Sequence, residues 1–181
     1  MIRLPIDSAL PIGYPRELEG AFDLSDGRNV RIRPILPEDV DDLTEAIEHA
    51  DSVTLLHRFF TAAPNLSEKQ IHYLAEVDYR RRLALVAADS DGRGVSVARY
   101  ECHADSNVAE VAVVVAPEWR SGGLATEMLR RLEEPARRNG FTELDAVYLP
   151  ENHPIAKVFR HLGYSEQHIE DGIARVSKPL V

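Results

Sequence analysis

Only one cysteine, Cys102, occurs in the 181 residues. That excludes an internal disulfide framework and any cysteine-based metal cluster, and it fits a reducing compartment, with the cytoplasm as the expected location. No stretch approaches the ~20 consecutive apolar residues that a spanning helix requires. The opening MIRLPIDSALPIGYP is broken by Pro5, Pro11 and Pro15 and carries Asp7, so it lacks the apolar centre of a signal peptide. Positive charge is scarce as well, with 21 Lys and Arg against 30 Asp and Glu and a net charge of −9. Nucleic acid and anionic membranes reward clustered Lys and Arg, so neither is expected as a partner, whereas a cationic substrate is tolerated. The seven histidines are scattered without metal-ligand spacing, and no metal is expected.

What is present suffices for a core. Apolar residues make up 44% of the chain, enough for one domain, expected over residues 21–181 behind an extended N-terminal arm at 1–20. Ala21–Leu24 and Val30–Arg33, joined by Ser25-Asp26-Gly27-Arg28-Asn29, read as a hairpin. Pro37 at a first helical turn, with Val40, Leu43 and Ile47 at helical spacing, predicts a helix to about His49. A second short helix is expected over Ser52–Phe60. Ser67 with Gln70 forms a capping box before a third, with Leu66 and Ile71 as a hydrophobic staple. The period then changes. Leu83–Ala88, Val95–Cys102 and Val108–Ala116 read as three antiparallel strands. Leu124, Met128, Leu129, Leu132 and Ala136 mark a long amphipathic helix ending near Gly140, which Pro135 should kink or end early. A strand over Leu144–Leu149, a helix over Pro154–Leu162 and a hairpin across Asp171-Gly172 complete the chain.

Chemistry concentrates in Ala109–Leu132. Glu110 is the only charge between Val108 and Pro117, and a lone carboxylate in a β-branched run needs a reason. It is either functional or paired with an arginine such as Arg99 on the neighbouring strand. Ten residues on, Arg120-Ser121-Gly122-Gly123-Leu124-Ala125 forms a turn whose glycines admit close backbone approach. Its N–H groups become the orphan donors of a helix N-terminus, a setting that favours phosphate. Asn152 is either a helix cap or a ligand contact. Arg80-Arg81-Arg82 is either a solvated turn or a phosphate contact. Cys102, Tyr148 and Tyr164 read as core or rim residues.

Element order and turn together resemble the GNAT superfamily of acyl-CoA-dependent N-acyltransferases over about residues 21–178. Arg120, Gly123 and Ala125 match its Q/R-x-x-G-x-G/A loop, with Pro117, Glu118 and Trp119 ahead of it and Asn152 and Leu162-Gly163-Tyr164 downstream. Val30-Arg31-Ile32-Arg33-Pro34-Ile35, His57-Arg58-Phe59-Phe60, Val77-Asp78-Tyr79, Ala84-Leu85-Val86-Ala87, Val97-Ala98-Arg99-Tyr100 and Ala109-Glu110-Val111-Ala112 resemble the catalytic domain of bacterial protein lysine acetyltransferases of the Pat type. The resemblance implies an α/β (α+β) fold, a central mixed and mostly antiparallel twisted sheet flanked by helices. It implies acetyl-CoA as co-substrate, held through Gly122, Gly123, Leu124, Ala125, Thr126 and Arg120 at the pyrophosphate, Val113 and Val115 along the pantetheine arm, and Asn152. It also makes Glu110 the general base. Two departures stand out: Gly122 where many relatives carry a basic residue, and Phe159 where many carry a tyrosine near the leaving sulfur. Only about twenty residues precede the first strand, so a covalently attached nucleotide sensor is not expected. The implied acceptor is a protein lysine or a small amine, with a non-catalytic acyl-CoA sensor as the rival, and the chain is expected to be a monomer or homodimer.

Overall fold

A computed structural model describes residues 10–102 and 106–180. Eight strands form one sheet in the order β1-β2-β3-β4-β5-β6-β8-β7. They are β1 (Gly20–Asp23), β2 (Asn29–Pro34), β3 (Arg82–Ala88), β4 (Gly94–Cys102), β5 (Val108–Val115), β6 (Glu143–Tyr148), β7 (Ser165–Glu170) and β8 (Ile173–Pro179). Five α-helices accompany them: α1 (Val40–Glu48), α2 (Ser52–Phe59), α3 (Glu68–Ala75), α4 (Leu124–Arg138) and α5 (His153–His161). Every pairing is antiparallel except β5 with β6. The mixed, mostly antiparallel sheet expected from the resemblance is therefore the observed one.

Local chemistry accounts for most element ends. Ser67 and Gln70 exchange the reciprocal bonds of the expected capping box, at 2.9 Å and 3.4 Å. The terminal hairpin turns on Asp171 and Gly172 with φ of 50° and 75°, the pair of positive values that a type I′ turn requires. The helix expected from Pro37 divides into a 3₁₀ turn, Pro37–Asp39, and α1. The division falls at Asp39, whose carboxylate takes the Leu36 N–H at 2.8 Å and both Arg33 guanidinium nitrogens at 2.6 and 2.7 Å. Pro135 does not end α4, which runs through it to Arg138. The proline lies in the last turn and is itself buried with Leu132 and Ala136, so apolar packing outweighs the single backbone bond it removes.

Of the expected arm, residues 1–9 lie outside the described residues. Tyr14 and Leu18 pack against the core, and Arg16–Leu18 forms a 3₁₀ turn. The main core lies between α4 and the sheet, around Tyr100, Leu85, Met128, Leu129, Leu132 and Leu144. A smaller cluster of Ile35, Ala75, Ala84 and Val86 lies on the other face, with Val40 and Leu43 of α1 against it.

Candidate active site

The two strands of the parallel pair stay together only briefly. Val108, Ala109 and Glu110 stand opposite Glu143, Leu144 and Asp145, and the register ends there. Beyond it β5 continues to Val115, held by β4, while β6 continues to Tyr148, held by β8. The Ala116 N–H donates to Val95 on the β4 side at 2.9 Å. By the two-residue alternation of a strand, Val111, Val113 and Val115 therefore turn their backbone groups toward the gap. An amide-bearing ligand can pair with such an edge.

The gap opens into a cavity of about 660 Å³. Glu110, Val113, Val115, Arg120, Gly123, Leu124, Ala125, Thr126 and Asn152 all line it. At its glycine turn, Ser121 and Gly123 take φ of 67° and 88°, so the chain reverses left-handed into α4 without a capping side-chain bond. The first-turn N–H groups of Leu124, Ala125 and Thr126 have no preceding helical carbonyls to meet. A helix N-terminus of this kind favours an anion such as a diphosphate.

Gly122 is placed differently. It is buried beneath the turn, off the cavity wall, where a Cβ would come within 2.5 Å of Leu24 Cδ2 and 3.0 Å of Leu24 Cβ and Cγ. Its carbonyl accepts the Ser25 N–H at 3.2 Å, and nearby the Arg28 guanidinium stacks 4.2 Å over Trp119. The β1–β2 turn thus fills the space that a basic side chain would need. Arg120 is also committed. Its Nε donates to the Val115 carbonyl at 3.0 Å and its Nη2 to Thr54 Oγ1 at 2.6 Å, which fastens α2 to the end of β5. Asn152 caps α5, its Oδ1 taking the Ile155 N–H at 3.4 Å, while still facing the cavity.

Glu110 lies on the sheet face covered by α1–α3, directly across from Glu101 of β4. Arg99, the alternative structural partner for Glu110, stands opposite Ala112, and its guanidinium reaches Glu101 at 3.9 Å. Phe159 is buried at the cavity wall, its ring 5.8 Å from that of Tyr148 and 5.0 Å from that of Tyr164. Burial pushes the Tyr164 hydroxyl far above its ordinary range, so it stays protonated in the core. Arg80-Arg81-Arg82 lies at the other end of α4 from the glycine turn: Asn139, just past that helix, bonds to Tyr100, which bonds the Arg80 carbonyl. A fifteen-residue helix is about 22 Å long, and Arg82 instead serves the Tyr73 and Glu76 carbonyls. The phosphate-contact alternative for that run is thereby corrected.

Sequence reasoning did not single out the side chains that α2 contributes to the cavity wall, among them Thr54, His57 and Arg58. The motif His57-Arg58-Phe59-Phe60 was visible, but nothing local revealed which strand α2 would face. Among the described residues no group of three or more His, Cys, Asp or Glu side chains is arranged to hold a metal, and no helix is long and apolar enough to cross a membrane.

A splayed parallel pair, an open strand edge and a bare glycine turn in one cavity define an acyl-CoA-dependent acyltransferase fold. Residues 29–165 match the family described as Acetyltransferase (GNAT) domain, and the chain belongs to that family. It is an N-acetyltransferase whose co-substrate is acetyl-CoA. An acetyltransferase of Pseudomonas aeruginosa is 30% identical over 156 residues, 84% of each chain. The acetyltransferase Pat of Mycolicibacterium smegmatis is 28% identical over 135 residues, 73% of this chain and 40% of that protein. Among solved structures, the GNAT domain of S. lividans PAT superposes with a TM-score of 0.84 at 30% identity, covering 92% of this chain and 99% of that one.

Proposed function

We propose that the protein transfers an acetyl group from acetyl-CoA to the side chain of a protein lysine, in the cytoplasm, with Glu110 as general base. The observation that carries this is the shared cavity, with Glu110 at the point where β5 and β6 part and the glycine turn at its other end. Similarity to two Pat proteins supports the lysine acceptor, and the single cysteine supports the compartment.

A lysine of unperturbed pKa ~10.4 is almost wholly ammonium at neutral pH, and freeing its amine over ~3 pKa units costs about 4 kcal/mol. A carboxylate on the cavity wall can take that proton, directly or through a water. The freed amine nitrogen then bonds to the thioester carbonyl carbon as the carbon–sulfur bond breaks and the thiolate leaves. Backbone N–H groups of Val113 or Val115 support the developing oxyanion. Phe159 supplies no proton to the sulfur, and a thiolate of pKa ~8.5 leaves readily without one.

The test incubates the protein with labelled acetyl-CoA and a cell lysate, with a Glu110→Gln control, and reads the label by site-resolved mass spectrometry. Label on protein lysines that is lost in the control supports the proposal. Label on small amines alone transfers the assignment to a small-amine acetyltransferase, and tight acetyl-CoA binding with no transfer makes the protein a sensor.

A further inference from the structure

Glu110 occupies the middle of a row of carboxylates that crosses the sheet on one face. Glu101 stands opposite it on β4 and Asp145 opposite it on β6. Like charges placed directly across a ladder repel. Both outer members have a strand arginine at hand, Arg99 at 3.9 Å from Glu101 and Arg175 at 2.6 Å from Asp145. Tyr73 of α3 also donates its hydroxyl to Glu101.

A further cation reaches the centre of the row from outside the sheet. Arg58 of α2 lines the same cavity as Glu110. Burial holds its guanidinium below the ordinary value, and the attractions of Glu110 and then Glu101 oppose that burial. Burial, and after it the charge of Arg58, lowers Arg99 to about 10, so Arg58 is docked near a second arginine against electrostatic repulsion. What holds it there is the anchoring of α2. Asp51 caps the helix through the Val53 and Thr54 N–H groups at 3.0 and 2.9 Å. Thr54, one turn before Arg58 on the same helix face, takes the Arg120 hydrogen bond from the glycine-turn segment at 2.6 Å.

We propose that Arg58 is a positioning residue for acetyl transfer, holding the Glu110 carboxylate ionised and directed into the cavity that receives the acceptor amine. The assignment rests on Glu110 acting as the base. Among the described residues, the charged and titratable groups around Glu110 include Glu101 directly across on β4, with Arg99 beside Glu101, Asp145 across on β6 with Arg175 of β8 beside it, and, lining the same cavity, Arg58 and His57 of α2 and His153 and Lys157 of α5. With Arg58 removed, the flanking carboxylates favour protonation of Glu110. A protonated glutamate accepts no proton.

The experiment follows the glutamate side-chain carboxyl carbons of the ¹³C-labelled protein by NMR from about pH 3 to about pH 8, with the Glu110 signal identified by its loss in Glu110→Gln. Arg58→Gln is expected to raise the Glu110 midpoint by about one pH unit or more, Arg58→Lys to leave it near the parent value, and Glu101→Gln to lower it. An unmoved midpoint in Arg58→Gln, or equal shifts in Arg58→Gln and Arg58→Lys, overturns the proposal. If Arg58→Gln does not fold, a Glu101→Gln midpoint that fails to fall, or an Arg58→Lys midpoint far from the parent, overturns it. The titration needs no acceptor, so it is independent of the base assignment. Turnover unchanged in Glu110→Gln removes the catalytic role of Glu110 whatever the midpoints show.

Discussion

Gly122→Ala tests whether the β1–β2 turn braces the glycine turn, the proposed diphosphate site. The new Cβ would meet Leu24 Cδ2 at 2.5 Å and Leu24 Cβ and Cγ at 3.0 Å. Rotation about the end of the leucine moves Cδ2 aside but leaves Cβ and Cγ where they are, so the hairpin turn must retreat by a few tenths of an ångström. Leu24 is only 3% exposed, and overpacking at such a site costs about 1–3 kcal/mol. Gly122 is not left-handed, so no backbone strain is added, and the loss of glycine from the unfolded chain returns about 0.4–1 kcal/mol. A net loss on the order of 1–2 kcal/mol remains, which at about 2–4 °C per kcal/mol for a chain of this size is a fall of several degrees in Tm. The retreat also pulls on the Ser25 to Gly122 hydrogen bond, and calorimetric titration should show weaker acetyl-CoA binding. Leu24→Ala removes Cγ and Cδ2 and leaves only the Cβ contact at 3.0 Å, so the double variant should lose less stability than the two single losses added together. A Gly122→Ala protein as stable as the parent, or strict additivity in the double variant, refutes the brace.

Glu110→Gln should keep the fold and acetyl-CoA binding while lowering kcat by roughly 10² or more and flattening the acidic limb of the pH–rate profile, measured by thiol release. Arg33→Met leaves the buried Asp39 carboxylate without its guanidinium and should cost about 3–5 kcal/mol in urea unfolding, with Arg33→Met/Asp39→Asn recovering part of the loss. Asp78 accepts the N–H groups of Arg80, Arg81 and Arg82 at 2.9, 2.7 and 2.9 Å. Burial works to raise this carboxyl, but those N–H groups together hold it below its ordinary value. A depressed folded-state value means stability that is present above the unfolded pKa of ~3.9 and lost as pH falls through the lower folded value. Asp78→Asn should therefore destabilise the protein at neutral pH, with the difference from the parent closing below about pH 4 in thermal melts.

Local chemistry was the legible part. A carboxylate alone in a β-branched run, a glycine pair before an amphipathic helix and a Ser-x-x-Gln box each state their structural need within a few residues, and Glu110, Gly123 and Ser67 sit where those needs place them. Contacts between distant segments were not legible. Gly122 reads as part of a phosphate turn, yet its constraint comes from Leu24, almost one hundred residues earlier. Arg120 fits the family loop by position, but its guanidinium is taken by Thr54 of a helix whose docking no local pattern announces. Pro135 carries a general rule about helix ends that burial of its own stripe overrode.

The open edge of β5 raises a further physical question, because unpaired strand edges invite unwanted pairing. Here each strand of the splayed pair is fastened along its outer side, β5 to β4 from Val115 to Ala109 and β6 to β8 from Glu143 to Tyr148. Neither can swing across to close the gap without breaking a complete ladder. Above the gap, Arg120 occupies the Val115 carbonyl at the glycine-turn end, and α2 and α5 wall the two sides. The open edge is thus reduced to a short run, Val111 to Val115, that lines the cavity. The same splay leaves Glu110 at the last paired position, where the strands are still rigid and the cavity begins. The open strand edge and the position of Glu110, the proposed base, therefore have a common origin in a parallel pairing that ends after three residues.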